Sequence, residues 1–126
     1  MPHVKLKELE GQYAISQLPG NTTVPDWWDG PGFCSVSRGD DELSIVCLEN
    51  RVPSGTMVDG GWTAFKFIGP FAFGETGIVL SVLQPLSENG LGIFVISTYN
   101  GDYLLLKQDD VDTGRRHLLA AGHSLI

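Results

Sequence analysis

The order of apolar patterns after Trp62 constrains the fold of this chain more than any other feature. A strand-like run is followed by residues at helical spacing, then by two more strand-like runs and a second helical pattern. These segments are residues 62–68, 76–89, 93–98, 103–107 and a helix that opens near Asp109. With residues 124–126 left for a short last strand, this order is the split βαβ arrangement of a ferredoxin-like unit.

The helical pattern over 76–89 is the strongest in the chain. Its apolar positions recur three and four residues apart, and Asn89-Gly90 is a helix stop signal. These positions are Ile78, Val79, Val82, Leu83 and Leu86. Pro85 lies inside the pattern and lacks a backbone N–H, so we expect a bend there or a break nearby. The run over 93–98 is apolar almost throughout, which predicts a strand buried on both faces.

The first half of the chain carries predicted strands with little helical periodicity between them. These strands are residues 4–9, 13–18, 33–37 and 43–48. Residues 52–61 are rich in Pro, Gly and Ser, so we place a boundary between two units there. The sequence therefore predicts an α+β protein of two fused βαββαβ units, residues 1–61 with eroded helices and residues 62–126.

Charge and hydropathy exclude several classes of partner. The 126 residues are 42% hydrophobic and carry a formal net charge of -7, so nucleic acid and anionic membranes are repelled. No apolar run approaches the roughly 20 residues of a spanning helix, and the N-terminus lacks the apolar core of a signal peptide. We therefore expect a cytoplasmic protein that binds neither nucleic acid nor membrane.

Neither the cysteines nor the histidines show a catalytic or metal-binding spacing. Cys34 and Cys47 lie in two predicted strands without a C-x-x-C motif, which favours reduced core thiols and leaves a disulfide or redox pair as the alternative. His117 and His123 are six residues apart and are interpreted as surface residues. The chain also lacks the motifs of nucleophilic catalysis, so we expect no enzyme activity, no cofactor and no metal.

Two loops carry residue types that suit an amino acid ligand. The turn GPFAFGETG over 69–77 opens the predicted helix, where backbone N–H groups and the helix dipole favour a carboxylate. Glu75 in this turn and Asp102 between two strands suit a ligand's ammonium or guanidinium group. Without a ligand, the glycines would serve turn geometry, Asp102 would bond its own backbone, and Glu75 would complement the helix dipole.

The segment 69–107, with GPFAFGETG and ISTYNGDYLLL, resembles the ACT domains of aspartate kinases and of the CASTOR arginine sensors. In the first half, QYAISQLP, GFCSVSRGDDELSIVC and VPSG resemble small bacterial proteins that consist of two ACT units. The resemblance implies a non-catalytic regulatory protein that binds an amino acid at an interface between ACT units. The two acidic residues suit a cationic amino acid such as arginine or lysine, and they leave another amino acid or a nucleotide-like ligand as alternatives. A structural or protein-interaction module without a small ligand is the alternative.

By position, the resemblance implies ligand contacts from both loops. The first loop would contribute Gly69, Pro70, Phe71, Gly74, Glu75, Thr76 and Gly77, and the second Thr98, Tyr99, Asn100 and Asp102. Many relatives have Thr at position 101, whereas this chain has Gly101, which removes a hydroxyl donor. The CASTOR sensors carry four ACT units in one chain, and a homodimer of this chain would restore that number.

Overall fold

The computed structural model describes residues 2–126 and shows an α+β protein, which confirms the predicted fold class. Residues 10–62 form one compact unit, the N-terminal unit, and residues 2–9 with 63–126 form a second, the helical unit. The strands are β1 Lys5–Glu8, β2 Tyr13–Pro19, β3 Ser35–Arg38, β4 Glu42–Leu48, β5 Met57–Ile68, β6 Ile93–Ser97, β7 Asp102–Lys107 and β8 Ser124–Leu125. The helices are α1 Ile78–Ser87 and α2 Val111–Ala120, and short 3-10 turns occupy Glu49–Arg51 and Gln108–Asp110.

The helical unit arranges its strands in the order β6-β7-β5-β1-β8. From β5 onward the chain follows the predicted strand, helix, strand, strand, helix, strand order. β1 lies between β5 and β8, antiparallel to β5 with Leu6 opposite Phe67, and parallel to β8 with Leu6 opposite Leu125. Residues 2–9 therefore group with residues 63–126, whereas the sequence interpretation placed them in the first unit. Local apolar pattern identifies a strand but not the distant strand with which it pairs.

One buried cluster joins the sheet and both helices of the helical unit. Its members are Leu6, Phe65, Phe67, Leu104 and Leu106 from the strands, Val4 just before β1, and Val82, Leu86, Val111 and Leu118 from the helices. Alternate strand residues point to one face of a sheet, and helix residues four or seven apart lie on one stripe. This pattern fixes which face of each helix packs on the sheet.

α1 runs through Pro85 without a break, and His123 supplies the hydrogen bond that the proline cannot make. Pro85 has no N–H to donate to the carbonyl four residues earlier, at Ser81. Instead, His123 Nε2 lies 2.7 Å from Ser81 O, and the Val4 N–H donates to His123 Nδ1 at 3.0 Å. Because Nδ1 accepts, the proton resides on Nε2, which donates to Ser81 O. His123 is buried for this reason, and the prediction that it lies on the surface is wrong.

The N-terminal unit keeps the strand order but has no α-helix within residues 10–62. Its strands are antiparallel in the order β3-β4-β2-β5, the arrangement of a ferredoxin-like sheet. The buried residues Leu43, Ile45 and Cys47 of β4 are covered by Trp27 and Trp28, which lie between β2 and β3. The 3-10 turn Glu49–Arg51 takes the place of the second helix. This confirms a first unit with eroded helices.

Two predicted strands differ from the structure in extent or burial. β5 begins at Met57 rather than Trp62, because Met57, Val58 and Asp59 pair with β2 in a segment that Gly60-Gly61 made resemble a loop. β6 is half-buried rather than buried on both faces, since its only recorded neighbour among the described strands is β7. Neither α-helix of the described chain is long and apolar enough to cross a membrane.

Candidate functional site

The two loops singled out in the sequence line one cavity in the helical unit. The loop between β5 and α1 and the turn between β6 and β7 enclose a volume of about 460 Å³. The lining residues are Phe71, Ala72, Phe73, Glu75, Gly77, Ile78, Val79, Leu80, Ser97, Thr98, Tyr99, Asn100, Gly101 and Asp102. This volume is within the range of small-molecule sites.

The predicted site residues divide between this cavity and a neighbouring one. Phe71, Glu75, Gly77, Thr98, Tyr99, Asn100 and Asp102 line the first cavity. Gly69 and Pro70 line a second cavity of about 500 Å³, which also contacts Phe71, Tyr99 and Asn100. Gly74 and Thr76 belong to the same loop but line neither of these two cavities.

The start of α1 opens onto the first cavity. Gly77 precedes the helix with a φ of 80°, a left-handed conformation that glycine adopts without steric cost. No side chain caps this end, and Ile78, Val79 and Leu80 of the first turn line the cavity. The first amides of a helix have no acceptor within the helix and carry the positive end of its dipole. This part of the cavity wall therefore suits an anionic group.

Asp102 supplies a carboxylate to the same cavity. Ser97 and Asp102 are cross-strand partners at the ends of β6 and β7, and the Ser97 Oγ–H donates to Asp102 Oδ1. This hydrogen bond fixes the carboxylate and leaves Oδ2 to accept from another group. Asp102 is half-buried, so solvent or a ligand can reach it.

The turn between β6 and β7 is closed by its own hydrogen bonds. The Thr98 N–H donates to Gly101 O at 2.7 Å, and Thr98 Oγ1 donates to the same oxygen at 3.0 Å. Gly101 has a φ of 155°, a backbone conformation that side chains rarely adopt. The glycine that departs from the family pattern is therefore required by the backbone of this turn.

Glu75 serves its own loop. Its Oε1 accepts from the Ala72 N–H at 3.1 Å, and its own N–H donates to Ala72 O at 3.0 Å. The side chain lines the cavity but is exposed, so it is screened by water more strongly than Asp102. This geometry is that of a loop-stabilising residue, which differs from the helix-dipole role that the sequence left as the alternative.

An exposed apolar rim surrounds the cavity. The rings of Phe73 and Tyr99 meet edge to face with centroids 4.9 Å apart, although the two residues are 78% and 79% exposed. Leu80 on the first turn of α1 is also exposed, at 57%. Sequence reasoning missed Phe73, Leu80 and Ser97. Leu80 carries a signal that could have identified it, because it is an apolar residue outside the core-facing stripe of the helix.

The site offers no arrangement for metal binding. Across residues 2–126, no group of three or more His, Cys, Asp or Glu side chains is placed to hold a metal ion. What the cavity does provide is a set of helix amides at one wall and a fixed carboxylate at another. This pairing suits a small zwitterion.

Fold and cavity together define a ferredoxin-like domain with a cavity of small-molecule size, and family models match both parts of the chain. The ACT domain model matches residues 57–114, and a model for the N-terminal domain of a related group matches residues 11–55. Residues 57–114 therefore match an ACT domain, which confirms the resemblance to the ACT-domain superfamily.

Three similar proteins illustrate what this chain resembles. A solved structure from Agrobacterium tumefaciens is 56% identical, with a TM-score of 0.96 over 100% of this chain and 94% of its own. The cytosolic arginine sensor for mTORC1 subunit 1 of Mus musculus is 27% identical over 78% of this chain, which spans only 30% of the sensor. The aspartate kinase of Clostridium acetobutylicum shares the fold at 12% identity, with a TM-score of 0.65 over 94% of this chain and 34% of the kinase.

Proposed function

We propose that this chain is a non-catalytic regulatory protein that binds a free amino acid in the 460 Å³ cavity of the helical unit. One observation carries the proposal: the uncapped first turn of α1 and the carboxylate of Asp102 open onto the same cavity. An α-amino acid has one anionic and one cationic group, which match these two features.

In the proposed complex, amides at the start of α1 hold the ligand's carboxylate. Asp102 Oδ2 accepts from an ammonium or guanidinium group, while Ser97 keeps the carboxylate in place. A cationic amino acid such as arginine or lysine is the expected class, supported by the mouse relative's description as an arginine sensor. Binding would act as a signal by favouring one arrangement of the loops around the cavity.

The exposed rim supports a second part of the proposal, the homodimer. Phe73, Tyr99 and Leu80 expose apolar surface beside the cavity, and such clusters commonly mark interfaces. A second copy that covers them would enclose the ligand between ACT units. If no ligand binds, the same surface favours the rival function, a protein-interaction module. The cytoplasm is the proposed location.

A thermal-shift panel of the twenty amino acids, with light scattering in parallel, tests the proposal. A ligand at about 100 times its dissociation constant stabilises the native state by roughly 2.7 kcal/mol. We expect a saturable rise in Tm for one or two amino acids, and the ligand should be recovered unchanged after incubation. A flat panel would contradict the sensor function, and a dimer with a flat panel would favour the interaction module.

Asp102→Asn tests the proposed cation site. Asn can still accept from Ser97 through its carbonyl oxygen, so the fold is preserved while the negative charge is lost. We expect the ligand-induced rise in Tm to disappear. Asp109→Asn is the matched control, because Asp109 is exposed in the same unit and does not line the cavity. An equal ligand-induced rise in Tm for both variants would show that Asp102 does not contact the ligand.

A further inference from the structure

The two cysteines of the N-terminal unit lie at one end of the β3–β4 pair: Cys47 is in β4, and Cys34 directly precedes β3. β3 and β4 are antiparallel, with Ser35 opposite Val46, so continuing this register by one residue puts Cys34 opposite Cys47. Directly opposed residues in such a pair have Cα atoms about 4.5–5.5 Å apart. A disulfide requires a Cα separation of about 4.4–6.8 Å. The register therefore gives the spacing that a disulfide needs without movement of the strands.

Both side chains also lie on the same face of the sheet. Cys47 is fully buried in the cluster formed with Leu43 and Ile45, and Cys34 packs against this cluster from a half-buried position. Burial, and next the neighbouring Cys34, raise the pKa of the Cys47 thiol. The two thiols thus differ in access: an oxidant reaches Cys34 first, and Cys47 remains protected.

Arg51 places a positive charge next to the accessible thiol. Its Nη1 lies 3.7 Å from Cys34 Sγ, and the guanidinium donates to the carbonyls of Trp28 and Pro31. The thiolate is the form of a cysteine that reacts with peroxides. In the reduced protein the Cys34 thiol donates to Trp28 O at 3.1 Å.

We propose that Cys34 and Cys47 form a reversible intrachain disulfide when the protein meets hydrogen peroxide. The Cys34 thiolate attacks one peroxide oxygen, the O–O bond breaks, and Cys34 becomes a sulfenic acid while hydroxide leaves and is protonated to water. The Cys47 sulfur then attacks Cys34 Sγ, the S–O bond breaks, and the hydroxyl leaves as a second water with the Cys47 proton. Two electrons pass from the thiols to the peroxide, and a dithiol restores both thiols by exchange.

Formation of the disulfide would change the contacts of the segment that packs on β4. The disulfide removes the S–H donor from Trp28 O and ties the start of β3 to β4. Cys34 follows the segment that carries Trp27 and Trp28, which replaces a helix in this unit. The proposed disulfide therefore constrains a segment that covers β4 without forming a helix.

Hydrogen peroxide treatment of the reduced protein, followed by alkylation and intact mass spectrometry, tests the proposal. We expect a mass lower by two hydrogen atoms, loss of both alkylation sites and full recovery with dithiothreitol. A peptide that joins Cys34 to Cys47 should appear after digestion. Oxidation of Cys34 to sulfinic or sulfonic acid without this peptide would overturn the proposal. So would a disulfide that forms only between chains or only in urea.

Two variants separate the roles of the thiols. Cys47→Ala keeps a small apolar side chain in the core, and its Cys34 should stop at the sulfenic acid, which dimedone traps. Cys34→Ser should lose the disulfide and leave Cys47 unmodified until the protein is unfolded. Dimedone labelling of Cys47 in native Cys34→Ser, or none of Cys34 in native Cys47→Ala, would overturn the assigned order of attack.

Discussion

Apart from β1, which lies between β5 and β8 of the helical unit, the helical unit and the N-terminal unit have the same strand order, but they cover their sheets in different ways. In the helical unit, α1 and α2 pack on the sheet through a stripe of apolar residues. In the N-terminal unit, Trp27 and Trp28 of an irregular segment and one 3-10 turn take their place. A ferredoxin-like strand order can therefore persist without helices. A candidate site at the start of a helix cannot, because it requires the free N–H groups of that helix. Only the helical unit joins a helix N-terminus to a cavity in the described chain.

The largest effect is expected where the helical unit depends on a single buried side chain. His123→Ala leaves the Ser81 carbonyl and the Val4 N–H unpaired, which should lower the free energy of unfolding by about 3 kcal/mol. In a Pro85→Ala background the cost should fall, because residue 85 then has an N–H for Ser81 O. Urea denaturation of the four proteins in this double-mutant cycle measures the coupling. Strictly additive costs would show that His123 does not compensate for Pro85.

A smaller effect is expected in the N-terminal unit, where Trp28 performs the covering role of a helix. Trp28→Ala should cost about 2 kcal/mol, less than a fully buried Trp, because Trp28 is only half-buried. Trp28→Phe is the matched control. It keeps the aromatic contact and removes an Nε1–H that is buried without a partner among residues 2–126, so it should change stability by less than about 1 kcal/mol. If urea denaturation gave the same loss in the free energy of unfolding for both variants, a packing role for Trp28 would be contradicted.

The smallest effect expected is a loss of stability at alkaline pH, to which each unit contributes one titrating group, Cys47 and Tyr103. Burial, followed by the neighbouring Cys34, raises the pKa of Cys47 above its ordinary 9.0, and burial raises that of Tyr103 above 10.0. The folded state holds both protons more tightly than the unfolded chain. The associated stability is therefore complete below the unfolded pKa and is lost as pH rises through the folded pKa.

We accordingly expect the free energy of unfolding to fall above pH 9.0 through Cys47 and above pH 10.0 through Tyr103. Cys47→Ala should flatten the first part of this decline and Tyr103→Phe the second. Urea midpoints measured across this range check the assignment. A decline that neither variant alters would place its source in other groups.

The fold class and the meeting of the two loops could be predicted from the sequence. Apolar spacing over 76–89 identifies α1, and the flanking apolar runs identify β5, β6 and β7, since these patterns are local. Placing a Gly-rich turn before a helix and an Asp between two strands was enough to locate the cavity. The ligand itself remains a prediction.

The features that were missed depend on contacts between distant parts of the chain. The position of β1 beside β5 and β8 is set by pairing with strands about 60 and 120 residues away, which no local pattern records. The burial of His123 follows from a carbonyl left unpaired by Pro85, 38 residues earlier. In both cases the missing information was the identity of a partner rather than the type of element.

Amide chemical shifts during titration with arginine test the central claim most directly, with lysine as a second probe and leucine as a neutral control. The account predicts saturable shifts in proton–nitrogen correlation spectra at Ile78, Val79 and Leu80 and at residues 98–102, with little change over 10–62. Leucine should give weaker shifts than either cationic amino acid, because it has no group for Asp102 beyond its α-ammonium. Spectra unchanged by both arginine and lysine, or shifts confined to the N-terminal unit, would contradict an amino acid site at the start of α1.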